Sequence, residues 1–455
     1  MAVWNLTELS SVTLFDRIDG EHYLPEYISN QDTLSKIETV SLPQWFFVSD
    51  GNHLSVSEHF SDGGEIPYFR GQDITDFFLE NANPIRIPKR IYETQMMRRS
   101  HFHTGDVLLS IVGTIGSLSV VPETIGAATG SCKIAILRSK GECSPFVLAA
   151  FLISKYGQLQ IKRNTRGAVQ MGLILKDLSR IRIPNFPDFQ QDNIEALINQ
   201  SISANRQSKT LYTQAQQLLE EGLGLAKLRF DKPMGYAARF SELESSRRSD
   251  AHHYQPRFAQ LLHHISKFST RKIRDIRTYN RRGIQPVYMK NGEYAVVNSQ
   301  HLGPKHINYD GLQKTSAHAF FASSEAHIKL GDLLIYTTGA YIGRTNAYLS
   351  DTPAFASNHV NILRLNPDID HAYMALVFQS IIGQFQTQKH ARGSAQAELY
   401  PADIDKFIVP LLPPDRQKVI GNLVRESLEK QCESIRLLDR AKSRVEQLIE
   451  AAVQK

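Results

Sequence analysis

The sequence predicts an α+β protein in which two repeated α/β domains are separated by two long helices packing as an antiparallel coiled coil. Three observations predict it. A phrase occurs twice: GDVLLSIVGTIGS at 105–117 returns as GDLLIYTTGAYIGR at 331–344. Matches at the same offset of 226 residues run on either side of it, through Gly113/Gly339, Arg166/Arg392, Gln170/Gln396 and Pro184/Pro410. After each of those prolines the pattern turns from strand-like to helical. A repeat unit of this length is too long for a solenoid or propeller blade. It divides the chain into 1–186, a helix over 187–230, a second domain over 231–412 and a second helix over 413–455.

Each element follows from the residues. RIDGEHYLPEY (17–27) matches RSDAHHYQPRF (248–258) and opens each copy, and GEIPYFRGQDI (64–74) resembles GEYAVVNSQHL (292–302). In the doubled phrase, Gly-Asp begins a turn and three apolar residues form a short buried strand. Gly113 and Gly116, or Gly339 and Gly343, permit the tight connection to a second strand at Ser119-Val120-Val121 or Asn346-Ala347-Tyr348. The absence of a Lys-Ser/Thr after the glycines argues against a phosphate-cradling P-loop.

In the second copy Ile435, Leu438, Lys442, Val445, Ile449 and Ala452 recur at heptad spacing, with charged flanks. The first copy runs from Ile194 through Leu219 with a polar centre at Asn205, Gln207 and Ser208, and Gly222 and Gly224 end it. Asp188 and Asp415 stand where N-caps are expected. A narrow apolar stripe favours helix against helix over each helix folding back on its own domain.

The 455 residues are 42% hydrophobic and 22% charged, ordinary for a globular chain. A net charge of +6 permits a polyanionic partner without demonstrating one. No apolar run has membrane-spanning length and no secretory leader opens the chain, so a cytoplasmic location is expected. Cys132, Cys143 and Cys432 have no CxxC spacing, which argues against a disulfide framework or zinc site. No methyl-transfer tetrapeptide, dinucleotide fingerprint, Walker A or HExxH is present. The His252-His253 and His263-His264 pairs read as surface or cap histidines. The chain therefore reads as a binding subunit rather than an enzyme.

The doubled phrase, the RGxxQ segment before a strand ending in proline, and the PxxxQxxI helix starts PDFQQDNI and PPDRQKVI resemble the specificity (S) subunit of type I restriction–modification systems. The resemblance covers essentially the whole chain. It implies a non-catalytic DNA-binding subunit of a DNA methyltransferase and ATP-dependent restriction endonuclease complex. Each half is then a target recognition domain reading one half of a bipartite double-stranded DNA site. The helices set the spacing and dock two methyltransferase (M) subunits, with two restriction/translocase (R) subunits joining. S-adenosylmethionine, ATP and magnesium are expected on those partners and none in this chain. The polar centre of the first helix departs from a regular coiled coil and puts its regularity there in doubt.

Phosphates are gripped by Lys and Arg, and base edges are read by Arg, Asn and Gln. The DNA-binding candidates are Arg70, Gln72, Arg98, Arg99, Lys162, Arg163, Arg166 and Gln170 in the first half. In the second they are Arg281, Arg282, Asn298, Gln300, Lys389, Arg392 and Gln396. Arg166 and Arg392 recur, so each is either a common phosphate clamp or a shared structural salt bridge. Differing base readout falls to residues that do not repeat, such as Arg70, Gln72, Asn298, Gln300, Arg281 and Arg282. The RxDxxHYxP segments are structural or dock partners. Three other readings stay open: a specificity subunit of a methyltransferase-only or type II system, a two-headed scaffold binding protein or RNA, and an enzyme with a diverged site.

Overall fold

The structure, a computed structural model, describes residues 17–167, 171–231, 233–393 and 396–454. It divides into two compact units, one of residues 1–204 with 433–455 and one of residues 205–432.

In the first unit, Val107–Ser110 is one of the two inner strands of a four-stranded antiparallel sheet ordered Phe46–Asp50, Ile134–Ser139, Val107–Ser110, Leu118–Val120. The strand is apolar on both faces because both are covered. Val107, Leu109 and Leu137 enter the main core with Val147 and Phe151, while Leu108 and Ile136 face a second cluster around Phe69 and Phe102. That second cluster lies against a smaller sheet of Ile85–Ile87, Ile66–Phe69 and Thr129–Gly130. Thr39–Ser41 pairs with Arg182–Pro184, tying the start of the unit to its closing strand.

The second unit repeats this order with Arg277–Arg282, Val360–Leu365, Leu333–Tyr336 and Thr345–Ala347. Its second sheet is Gln313–Thr315, Tyr294–Val297, Ala354–Ala356 and His327–Ile328, and Thr270–Lys272 pairs with Ile408–Pro410.

Two devices explain why the repeat needs particular residues. The helices Pro145–Ile153 and Lys155–Arg163 break at Ser154, whose extended backbone and side-chain cap start the second helix. Gly157 allows the sharp corner, because a Cβ there would lie 2.3 Å from the Phe151 carbonyl oxygen. Ser380 and Gly383 do the same between His371–Gln379 and Ile381–His390. The Asp of each doubled phrase is buried. Asp106 accepts both Nε and Nη2 of Arg138 at 2.8 Å, and Asp332 accepts both from Arg364 at 2.7 Å. Each also accepts the backbone N–H three residues upstream.

The long helices span Asp188–Leu223 and Pro414–Val453. Within the first unit Ile194 and Ile198 share a core with Ala441, Val445, Leu448 and Ile449, and Ser201 meets Ser434. Early residues of one helix thus lie by late residues of the other, an antiparallel pairing. Within the second unit Ser208 meets Ser427, and Leu412, just before the second helix, is packed beside Gly222. The polar centre is unbroken helix. Ser208 Oγ donates to the Ser427 carbonyl at 2.7 Å and Ser427 Oγ donates to the Ser208 carbonyl at 2.8 Å, and Ser201 and Ser434 repeat the exchange.

Three details differ from the sequence reading. The buried stripe of the second helix is Ser434, Leu437, Ala441, Val445, Leu448 and Ile449, whereas Ala452 is exposed and Lys442 half-buried. Small residues let the helices approach, and an apolar-only heptad skipped them. Both helices also bury side chains in the domain cores, so helix-on-helix and helix-on-domain packing coexist. Asp188 and Asp415 sit inside the first turns, where a carboxylate meets the positive end of the helix dipole.

Candidate nucleic-acid interface

In each unit three loops converge at one end of the central sheet. In the first, the loop after Val107–Ser110 closes through Ser110 N–H to the Ser117 carbonyl at 2.8 Å, with Gly113 and Gly116 both at φ 88°. Thr114 Oγ1 donates to the Gly71 carbonyl at 2.9 Å, which ties on the turn carrying Arg70 and Gln72. Leu173 N–H donates to the Ile111 carbonyl at 2.9 Å, which adds the hairpin carrying Arg166.

The second unit joins the same three parts. Tyr336 N–H donates to the Arg344 carbonyl at 2.8 Å, and Leu399 N–H to the Thr337 carbonyl at 2.9 Å. Arg344 Nη1 donates to the Leu302 carbonyl at 3.0 Å, beside the turn carrying Asn298 and Gln300.

The recurrent arginines close ion pairs. Arg166 donates Nε and Nη2 to the buried Asp177 at 2.7 and 2.6 Å, and Arg392 Nη2 donates to the buried Asp403 at 2.8 Å. Arg180 and Lys406 approach the same two carboxylates. This geometry matches the shared salt-bridge reading, while Arg392 keeps about half of its side chain exposed. Two cations hold the Asp403 carboxyl below its usual range against the opposing effect of burial. Gln170 lies outside the described residues; Gln396 is exposed.

The other candidates fall into distinct environments. Gln72, Arg98, Lys162, Arg281 and Gln300 are exposed. Arg70 is held by Asp73, with Nε and Nη2 both at 3.1 Å, and Arg99 pairs with Asp50. Asn298 caps its turn by accepting from Gln300 N–H at 3.1 Å and donates to Gln313 at 2.9 Å. Arg282 Nη2 donates to the Leu399 carbonyl at 2.9 Å, and its guanidinium lies 4.6 Å over the Tyr400 ring. Arg163 is buried and donates Nε to the His22 carbonyl at 3.1 Å and Nη1 to Gln31. Lys389 is half-buried, and desolvation lowers its pKa.

The RxDxxHY segments cap helix ends. His22 Nδ1 donates to the Arg163 carbonyl at 2.9 Å and Arg17 Nη2 to the Thr165 carbonyl at 2.9 Å. His253 Nδ1 donates to the Lys389 carbonyl at 2.7 Å, and Arg248 reaches the His390 and Ala391 carbonyls at 3.0 Å. These are carbonyls that a helix C-terminus leaves without partners. His253 is thus a cap, and a buried one.

Residues 265–431 match the family model for the type I restriction modification DNA specificity domain. That span holds all three converging loops of the second unit. Among solved structures the chain is similar to the type I restriction-modification S subunit from M. genitalium, at 13% identity and TM-score 0.44, covering 91% of this chain and 95% of that one. It is also similar to the HsdS subunit from Thermoanaerobacter tengcongensis, at 14% identity and TM-score 0.28, covering 92% and 95%. A third similar structure, reported for complex assembly and conformational transition of the type I R-M system, has 13% identity and TM-score 0.30, covering 92% and 96%. No curated protein matches the chain. The resemblance to a type I specificity subunit, carried in the sequence by the doubled phrase, thus has a matching specificity domain in the second half. Among the described residues no helix is long and apolar enough to cross a membrane.

Sequence reasoning missed Arg138 and Arg364, although they too stand 226 residues apart. That shared offset was the available signal. It also missed Tyr341 and Arg344, which lie inside the doubled phrase at places where its copies disagree.

Proposed function

We propose that this chain is the DNA-specificity subunit of a type I restriction–modification assembly, each unit reading one half of a bipartite site. The observation that carries the reading is a fold occurring twice, whose second copy matches a DNA specificity domain. The two copies share their loop scaffold but differ in the side chains mounted on it, which suits two different half-sites on one duplex. Arg70, Gln72, Arg98 and Lys162 in the first unit, and Arg281, Arg282, Asn298, Gln300, Arg392 and Gln396 in the second, are the DNA contacts of this reading. Arg99, Arg166 and Lys389 contribute charge near them, and Arg163 acts from inside the fold by holding the helix end. The long helices fix the gap between half-sites and dock two methyltransferase subunits, and two translocase–nuclease subunits complete the assembly. The chain is not itself catalytic in this reading. S-adenosylmethionine, ATP and magnesium serve the partners.

Mapping N6-methyladenine across the genome of cells with and without this chain tests the reading. One bipartite motif with a fixed gap, present only with the chain, is the expected result. Unchanged methylation with an active methyltransferase overturns it and favours a scaffold.

A further inference from the structure

The repeat supplies an internal control, since the same loops carry different side chains in the two units. In the second unit they carry a paired array of aromatic rings and guanidinium groups. The Arg344 guanidinium lies 4.0 Å over the ring of Tyr341, which is more than half exposed. Arg282 lies over Tyr400 in the same manner. Between them the chain segments are hydrogen-bonded: Arg392 and Glu398 exchange backbone bonds at 2.8 and 2.7 Å, and Gly339 N–H reaches the Ala397 carbonyl at 3.3 Å. An open cavity of about 520 Å³ is lined by Arg392, Gln396, Glu398, Tyr400 and Asp403. Glu398 and Asp403 are outnumbered by Arg282, Arg344, Arg392 and Lys406. The Thr338 hydroxyl and Arg282 Nε are buried with no hydrogen-bond partner.

The first unit keeps the hairpin's backbone exchange, at 2.8 Å each way between Arg166 and Gly172, but among the described residues its loops carry no ring stacked on a guanidinium. Arg344 corresponds to Ser117, Tyr336 to Ser110, Thr338 to Val112 and Tyr400 to Ile174, while Tyr341 is an inserted residue without a counterpart. Arg282 corresponds to Asp50, since they pair with the equivalent residues Asn361 and Ala135 of the neighbouring strand.

We propose that the loop 337–344 and the paired segments 392–393 and 396–399 of the second unit form a backbone clamp for duplex DNA, in which Tyr341 and Tyr400 hold the guanidinium groups of Arg344 and Arg282 against phosphates. The inference rests on the DNA-reading function and assigns the phosphate grip unequally between the two halves. A guanidinium stacked on a ring keeps its charge and offers its N–H edge to a phosphate, with little rotamer freedom left to lose on binding. Arg344 spends one donor on Leu302 and has others available. Arg282 Nη2 already lies 3.9 Å from the Glu398 carboxylate, and a DNA backbone presents a row of further anions.

The test measures binding of the full chain to a fluorescent random-sequence duplex, long enough for both halves, across a salt series. Arg344→Ala is expected to weaken binding about tenfold, the loss of one charge-assisted contact. It should also make the salt dependence shallower by about one unit in the logarithmic slope. Tyr341→Ala changes an exposed side chain and so folds; it should weaken binding in the same direction and leave the slope, because the charge remains. Ser117→Ala, and Lys267→Ala at an exposed lysine just after the helix Pro256–Ile265, should leave binding unchanged. Wild-type binding with affinity and slope unaltered in both Arg344→Ala and Tyr341→Ala overturns the clamp and leaves the DNA-reading function standing. A wild-type chain with no duplex affinity, alone or with its methyltransferase, overturns both.

Discussion

Arg364 donates Nε and Nη2 to the fully buried carboxylate of Asp332, at 2.7 Å each, and the pair joins the first strand of the doubled phrase to its neighbour. Removing one partner leaves a buried charge uncompensated. Arg364→Leu should therefore destabilise the second unit by about 3–5 kcal/mol, and Arg138→Leu should do the same to the first through Asp106. Urea unfolding of each variant measures the loss. Double substitution with Asp332→Asn should cost less than the two single changes added together.

The serine exchange predicts a second asymmetry. Ser427→Ala removes one donor from the Ser208 pair and the partner of His306 Nε2, which lies 3.1 Å from Ser427 Oγ. It should cost about 1 kcal/mol. Ser427→Leu has no room at a seam this close and should cost about 1–3 kcal/mol through overpacking. Thermal melts of the two variants rank them, and Leu should be the worse.

Stability should fall on mild acidification. Burial lowers the His22 and His306 pKa values to about 4 and the His390 value to about 3, and it lowers that of His253 as well. Each ring is neutral in the fold and gains its proton more easily when unfolded, near pH 6.5. The stabilisation is complete above that value and is lost as pH drops from about 6.5 towards 4. Melting temperature against pH should show this slope, and His306→Gln should flatten it.

Base reading predicts a change confined to one half of a target. Gln72→Ala should relax the sequence preference within a single half-site by about 1–3 kcal/mol of discrimination, and Gln300→Ala should relax the other half. Methylation mapping reads both. Relaxation of both halves by one substitution would argue that these glutamines position the duplex instead.

Much of this architecture was legible because the chain repeats itself. Collinear matches at one offset showed one fold occurring twice, and the prolines before Asp188 and Asp415 marked where the long helices begin. Burial was harder to read. Arg163 looks like Lys162 in a list of cations, yet it faces inward because its helix ends against the Arg17–Tyr23 segment, a contact between residues about 140 apart in sequence. The helix seam was misread for a related reason: hydrophobic periodicity gives no weight to Ser201, Ser208, Ser427 and Ser434, and these serines lie in the seam. Whether Arg166 and Arg392 grip phosphate or a carboxylate depended on Asp177 and Asp403, whose own offset of 226 residues went unused.

The border between the two units passes through both long helices, so the first unit is completed by residues 433–455. On the ribosome, Ile194 and Ile198 emerge with their apolar faces uncovered and wait for Val445, Leu448 and Ile449, more than half a chain later. The second unit has all its residues in one continuous stretch and closes first. A nonsense mutation just before residue 433 would therefore damage the half of the protein that was translated earliest.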